Sequence, residues 1–261
     1  MAPRRAFDEH YEEDIRLPDG GMMRLRLVRD GDRAGILRAF EQLSTETRVQ
    51  RWFYPKMRLS EEEIAAIVSP LDDEHGAIAA LEINPDSEKP DADAEPVIGI
   101  ARFVRSKEDP DAAEIAITLA DDWQGLGIGR ILLHRLVSMI SERDIGWIEG
   151  RLQAENQRMK HLLAPYVPEG GFQLEDSVLL FRFPVPHAED PLMAQLSRNA
   201  TAVAHMFGRM AEGGFALPAA LVGQRLQGRG PRDLLANLQR NDRKPAKDAR
   251  ENEAEDEPVG E

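Results

Sequence analysis

Apolar and polar residues change rhythm several times along this chain, and each rhythm predicts an element. Residues 22–28 alternate apolar and basic side chains, as a half-buried strand does. After Asp30-Gly31-Asp32 the period lengthens, and Ile36, Leu37, Phe40 and Leu43 fall on one face of a helix over 33–43. Ser44-Thr45-Glu46-Thr47-Arg48 leads into a second helical stretch, with Trp52 and Phe53 as its apolar anchors. Ser60-Glu61-Glu62-Glu63 is a capping-box signal for a third helix, carrying Ile64, Ile67 and Val68. Strands are predicted at 76–83 and 97–104, around a solvated Pro/Asp/Glu-rich hairpin loop at 84–96. A further strand at 113–119, a helix at 131–140, a strand at 146–152 and a short helix at 156–163 follow. Pro165 and Pro168 cut that helix off, and 172–174 with 178–183 form a last hairpin. The order is mixed α/β, with helices flanking a central sheet.

Two flanking regions differ. Residues 1–21 read as a loose lead-in ending in the turn Leu17-Pro18-Asp19-Gly20-Gly21. Beyond the domain at 22–186, Met193, Leu196, Ala200, Val203, Phe207 and Met210 recur by three and four, which predicts a helical extension over 187–240. That seam either lies on its own domain or pairs with a second copy to form a homodimer. Residues 241–261 are charged and apolar-poor, an acidic tail expected to be disordered.

The most informative stretch is Trp123-Gln124-Gly125-Leu126-Gly127-Ile128-Gly129-Arg130, between a predicted strand and a predicted helix. Alternate glycines there bare backbone N–H groups at the positive end of a helix, which suits a pyrophosphate. A dinucleotide fingerprint needs a third glycine where Arg130 or Leu132 stands, and no Gly-Lys-Ser/Thr triplet occurs. Gln-x-x-Gly-x-Gly, at Gln124, Gly127 and Gly129, resembles the acyl-CoA loop of the GNAT superfamily of N-acetyltransferases. The resemblance spans roughly residues 24–186 and implies the GNAT fold. Residues 43–53, 59–63, 113–116 and 121–125 are similar to those of bacterial protein lysine acetyltransferases in particular.

That resemblance implies acetyl-CoA as co-substrate, held by Gln124, Gly125, Leu126, Gly127, Ile128 and Gly129, with Arg130 near the phosphates. It implies that the strand backbone at Ile117 and Leu119 pairs with the pantetheine arm. Glu114 is the implied general base, on the strand face shared with the small Ala116 and Thr118. Its alternative is a solvent-facing glutamate, with Glu149 and Glu155 in reserve as bases. Asn156 would contact the cofactor arm, cap the short helix, or do both. The family often places a proton-donating tyrosine on that helix; here Leu162 and Leu163 stand there, and either Tyr166, beyond Pro165, swings back as the donor, or it is structural and the thiolate leaves without side-chain protonation. His134 and His161 read as surface helix residues, and Trp123 as packing beneath the loop.

Composition narrows the partners. A net charge of −14 over 261 residues argues against nucleic acid and suits a cationic acceptor. With no cysteine and six histidines lacking a ligand-pair spacing, no metal is expected. No apolar run approaches a membrane span and no secretory signal is seen, so a cytoplasmic protein without a membrane partner is expected. The expected function is direct acetyl transfer from acetyl-CoA to a primary amine, a protein lysine first. A small-molecule amine acetyltransferase and a non-catalytic acyl-CoA sensor are the alternatives.

Overall fold

The computed structural model describes residues 5–17, 20–83 and 95–186. Eight strands form one sheet: β1 (Glu12–Arg16), β2 (Met22–Leu27), β3 (His75–Ile83), β4 (Val97–Arg105), β5 (Ala112–Leu119), β6 (Trp147–Gln153), β7 (Phe172–Glu175) and β8 (Val178–Pro184). Their spatial order is β1-β2-β3-β4-β5-β6-β8-β7. Every neighbouring pair is antiparallel except β5 with β6. The helices are α1 (Arg33–Glu41), α2 (Thr45–Trp52), α3 (Glu61–Val68), α4 (Ile128–Ser141) and α5 (Gln157–Leu163).

The two-residue alternation of β3 divides the interior. Ile78 and Ala80 face the core made with Leu132, Leu133, Leu136, Val137 and Ile140 of α4. Ala77, Ala79 and Leu81 face the opposite core, made with Ile36, Phe40, Ile64 and Val68 of α1 and α3. The sheet is therefore covered on both sides, and β3 reads as a nearly continuous apolar run for that reason.

Four expectations need correction. The lead-in holds β1, which pairs Glu12 with Arg26 and Asp14 with Arg24. The basic residues of β2 have an acidic edge strand beside them, Arg24 Nε lying 2.7 Å from Asp14 Oδ1. Phe7 and Leu17 on either side of β1 are buried. Helix α4 starts at Ile128 rather than at 131, because Gly127 in the left-handed region is its N-cap. His134 is buried, not on the surface, with Nδ1 2.9 Å from an Arg135 guanidinium nitrogen. Phe53 is 40% exposed and is no anchor: it sits at φ 66 as the C-cap of α2, which turns its side chain out of the core.

The Ser60 capping box on α3 is present, Ser60 Oγ accepting from Glu63 N and Glu63 Oε2 from Ser60 N. Helix α1 is fixed at its start by a buried fork, Arg26 donating to both oxygens of Asp32 at 2.8 and 2.7 Å. Removing one member of such a pair costs about 3–5 kcal/mol. Residues 84–94 of the expected hairpin loop, the extension at 187–240 with its expected homodimer seam, and the acidic tail at 241–261 lie outside the described residues.

Candidate active site

Strands β5 and β6 run side by side only briefly. Their register covers Ala112↔Trp147, Ala113↔Ile148 and Glu114↔Glu149, although β5 continues to Leu119 and β6 to Gln153. On its other side β5 stays paired with β4 from Ala113 to Leu119. The sheet therefore forks just past Glu114, and the edge of β5 that carries Ile117 and Leu119 faces the opening without a strand partner. Such an edge can take an extended amide-bearing chain as an added strand.

The glycine loop stands at the end of β5. Gly125 and Gly127 have φ of 82 and 84, in the region that favours glycine. A Cβ built on either would meet nothing within 4 Å, so both face open space. The backbone N–H groups from Gly125 to Gly129 have no acceptor among the described residues. Leu126 and Ile128 turn their side chains into the core, Ile128 fully, which leaves the backbone as the exposed surface of the loop. Arg130 is exposed in the first turn of α4. Unpaired N–H groups at the positive end of a 14-residue helix suit an anion.

The Gln124 side chain is a clamp and does not enter that space. Its Nε2 donates to Leu119 O at 3.0 Å and Thr47 Oγ1 at 3.3 Å, and its Oε1 accepts from Arg158. Asp121 does similar work from the 3-10 turn Asp121–Trp123, accepting from Ser44 N at 2.9 Å, Ser44 Oγ at 2.7 Å and Thr47 Oγ1 at 2.7 Å. Burial pushes the Asp121 carboxyl up, but these donors outweigh it and hold it below the ordinary carboxylate range. The start of α2 is thereby tied to the base of the glycine loop. Sequence reading missed Asp121 and Arg158, since their partners are distant in the chain.

Glu114 lies where the fork opens, its carboxylate exposed and without a hydrogen bond or ion pair among the described residues, though near enough to Arg51 and Arg102 to act on their charges. Of the reserve carboxylates, Glu149 is engaged by Arg182 at 3.2 Å, and Glu155 is exposed at the end of β6. The face of Glu114 continues through Ala116 and Thr118, which line a pocket under α1 and α2 together with Phe40, Trp52, Arg51 and Arg102. The cavity has a volume of about 60 Å³. It is narrow.

Asn156 is buried and caps α5, Oδ1 accepting from Met159 N at 3.0 Å. Tyr166 is 8% exposed, its ring 5.4 Å from that of Phe183, and its buried hydroxyl has no hydrogen-bond partner. Burial raises its pKa to about 12 against the opposing charge of Arg130, so the phenol is protonated at neutral pH. His161 is exposed and Trp123 buried in the core below the loop. Among the described residues no group of three or more His, Asp or Glu could hold a metal ion, and no helix is long and apolar enough to cross a membrane.

A forked sheet with an open, backbone-lined glycine loop at its mouth is the architecture of an acyl-CoA-dependent acyltransferase. The family model of the acetyltransferase (GNAT) domain matches residues 23–165, more than half of the chain, and the chain belongs to that family. GNAT acetyltransferases use acetyl-CoA. Acetyltransferase Pat of Mycolicibacterium smegmatis is 35% identical over 68 residues, which is 26% of this chain and 20% of that protein. The chain thus matches about a fifth of the length of that curated relative. The GNAT domain of S. lividans PAT has the same fold, with a TM-score of 0.56 and 24% identity over 68% of this chain and 99% of that one. A cAMP-binding acyltransferase from Mycobacterium smegmatis is more distant, at 23% identity over 74% of this chain and 55% of that one, with a TM-score of 0.43.

Proposed function

We propose that the protein transfers an acetyl group directly from acetyl-CoA to a primary amine, with a protein lysine as the acceptor. The observation that carries this reading is the position of Glu114, its carboxylate exposed and not hydrogen-bonded among the described residues, at the fork between the edge of β5 and the pocket under α1 and α2. Acetyl-CoA supplies an activated thioester. The loop N–H groups of Gly125 to Gly129, with Arg130, hold its pyrophosphate, and the β5 edge at Ile117 and Leu119 holds its arm. Asn156 stands at the far wall of the fork, where its unused amide N–H₂ reaches the same arm. Glu114 accepts the proton of the incoming amine, whose nitrogen bonds to the acyl carbon as the carbon–sulfur bond breaks. Tyr166, protonated and without another partner, returns a proton to the departing sulfur.

Two features favour a protein acceptor over a free amine. Residues 43–53 and 59–63 are similar to those of bacterial protein lysine acetyltransferases, and the loop between α2 and α3 exposes Phe53, Tyr54 and Met57. The test is Glu114→Gln, assayed with lysine peptides and with free polyamines. Turnover should fall by about 10²-fold or more while acetyl-CoA affinity is unchanged. Unchanged turnover removes Glu114 from the chemistry. Acetylation of free amines alone selects the small-molecule reading, and acetyl-CoA binding with no turnover on any amine selects the sensor.

A further inference from the structure

Among the described residues, the arginines that are not exposed are supplied with acceptors, with two exceptions. Arg26 has Asp32, Arg135 has Glu13, Arg143 has the carbonyls of Asp72 and Phe7, and Arg48 has those of Phe40 and Glu41. Arg51 and Arg102 do not follow this pattern. Neither makes a hydrogen bond or ion pair among the described residues, and both line the pocket under α1 and α2. Arg102 stands opposite Ala116 on β4, in the otherwise apolar run Val97-Ile98-Gly99-Ile100-Ala101-Arg102-Phe103. Arg51 enters from α2, its guanidinium 5.2 Å from the centre of the Trp52 ring.

Their surroundings confirm a strained electrostatic balance. Burial, then the charge of Arg102, push Arg51 down to about 10; Glu114 and Glu63 act in the opposite direction. Both guanidiniums remain charged at neutral pH. Glu63 is already engaged, by Lys56 at 2.9 Å and by the backbone of Ser60. Two half-buried cations thus line a pocket whose other walls are apolar but for Thr118, and the carboxylate of Glu114, on the strand face that continues into it, is near enough to act on both. Desolvated cations without acceptors are costly, and a carboxylate ligand would offset that cost through the planar fork of arginine. The apolar walls suit a short methylene stem, and the narrowness of the pocket suits one such group rather than a polyanion.

We propose that Arg51 and Arg102 form a subsite for a carboxylate carried by the amine acceptor, so that the enzyme prefers amines with an acidic group close by. This rests on the acetyltransferase reading above and names the acceptor class within it. The carboxylate belongs either to a glutamate or aspartate beside the acceptor lysine or to a small amino acid. In a chain of net charge −14, the arginine pair is a local reversal of sign placed beside the base.

The test compares matched acceptors on the wild type: lysine peptides flanked by Glu or by Gln, and 6-aminohexanoate against hexylamine. The acidic member of a pair should have kcat/KM higher by about tenfold or more, chiefly through KM, since removing a charge-assisted contact at a desolvated site has effects of that size. Arg102→Gln, and separately Arg51→Gln, should bring the ratio close to one while leaving the calorimetric affinity for acetyl-CoA, which also reports folding, unchanged. Preference within the peptide pair assigns the carboxylate to a neighbouring side chain, and preference within the small pair assigns it to an amino acid. Calorimetry with glutarate against glutaramide reads the subsite without turnover. Glutarate binding that Arg102→Gln abolishes, with no amine acetylated, keeps the subsite and sinks the acetyltransfer reading. Equal kcat/KM within both pairs, or a preference for succinyl-CoA over acetyl-CoA that Arg102→Gln removes, overturns the proposal.

Discussion

The two sides of the cleft are made of different material. On the proposed donor side the groups are backbone: the N–H groups of Gly125 to Gly129 and the edge of β5 beyond Glu114, without acceptors or a strand partner among the described residues. On the proposed acceptor side they are side chains, Arg51 and Arg102 from α2 and β4, with Glu114 of β5 near enough to act on both. Backbone groups are common to every member of a family that keeps the loop, so the donor can stay fixed. Side chains can be exchanged one at a time, so the acceptor can vary without disturbing the donor. The two sides meet at Asp121 and Gln124, whose hydrogen bonds to Ser44 and Thr47 join the base of the loop to the helix that walls the pocket.

The sharpest way to break this division is Gly127→Glu. The backbone there is at φ 84, where a residue with a Cβ is strained, and the new side chain projects into the open space above the loop. It would place a carboxylate where the pyrophosphate is expected. Acetyl-CoA affinity, read by calorimetry, should fall by about 10²-fold or more, while glutarate binding at the acceptor side is retained. Equal loss on both sides would show that the cleft is one unit and not two.

The same division explains what could be read in the sequence. A backbone site needs residues of special conformation in fixed order, so Gln124-x-x-Gly127-x-Gly129 announces itself, and the rhythm of the strands and helices around it follows. Glu114 stood out as a candidate because strand alternation sets it beside Ala116 and Thr118 and the family resemblance implies a base there. The acceptor pocket was not, because Arg51 and Arg102 meet only after α2 folds down on the sheet. One local signal existed: an arginine amid the apolar run of β4 is out of place unless something anionic meets it. Strand β1 was missed for a related reason. Its Glu12, Asp14 and Arg16 look like a solvated tail until Arg24 and Arg26 of β2 are set opposite them. Tyr166 was found as a candidate residue, but its burial behind two prolines came only from the fold.

A second variant sharpens the comparison at the joint itself. Asp121→Ala removes the acceptor of three hydrogen bonds from Ser44 and Thr47. The domain should lose about 1–3 kcal/mol of stability in chemical denaturation. If the joint is what holds α2 over the pocket, KM for the amine should rise several-fold, about threefold to tenfold, with kcat and acetyl-CoA affinity changed less. A rise in the acetyl-CoA constant of the same size would place Asp121 on the donor side instead.

Tyr166 carries the smallest effect on stability and the most diagnostic one, because its two roles predict opposite signs. Its hydroxyl is buried without a partner, a condition that costs folding free energy. Tyr166→Phe should therefore stabilise the domain at neutral pH, by about 1 kcal/mol. Burial also raises the phenol to about 12 from its ordinary 10.0, so between those values the unfolded chain has lost the proton that the folded chain still holds. The unfolded state then binds fewer protons, and stability must fall as pH rises through that window. The phenylalanine variant lacks this component, and its advantage over the wild type should widen from about pH 10 upwards, as seen in denaturation midpoints. Turnover should move the other way. Loss of the proton donor should lower kcat by about tenfold, a modest factor because the thiolate is already a good leaving group. A variant that is more stable and slower identifies an unpaired hydroxyl kept for the reaction; one that is more stable and equally fast leaves Tyr166 as packing against Phe183.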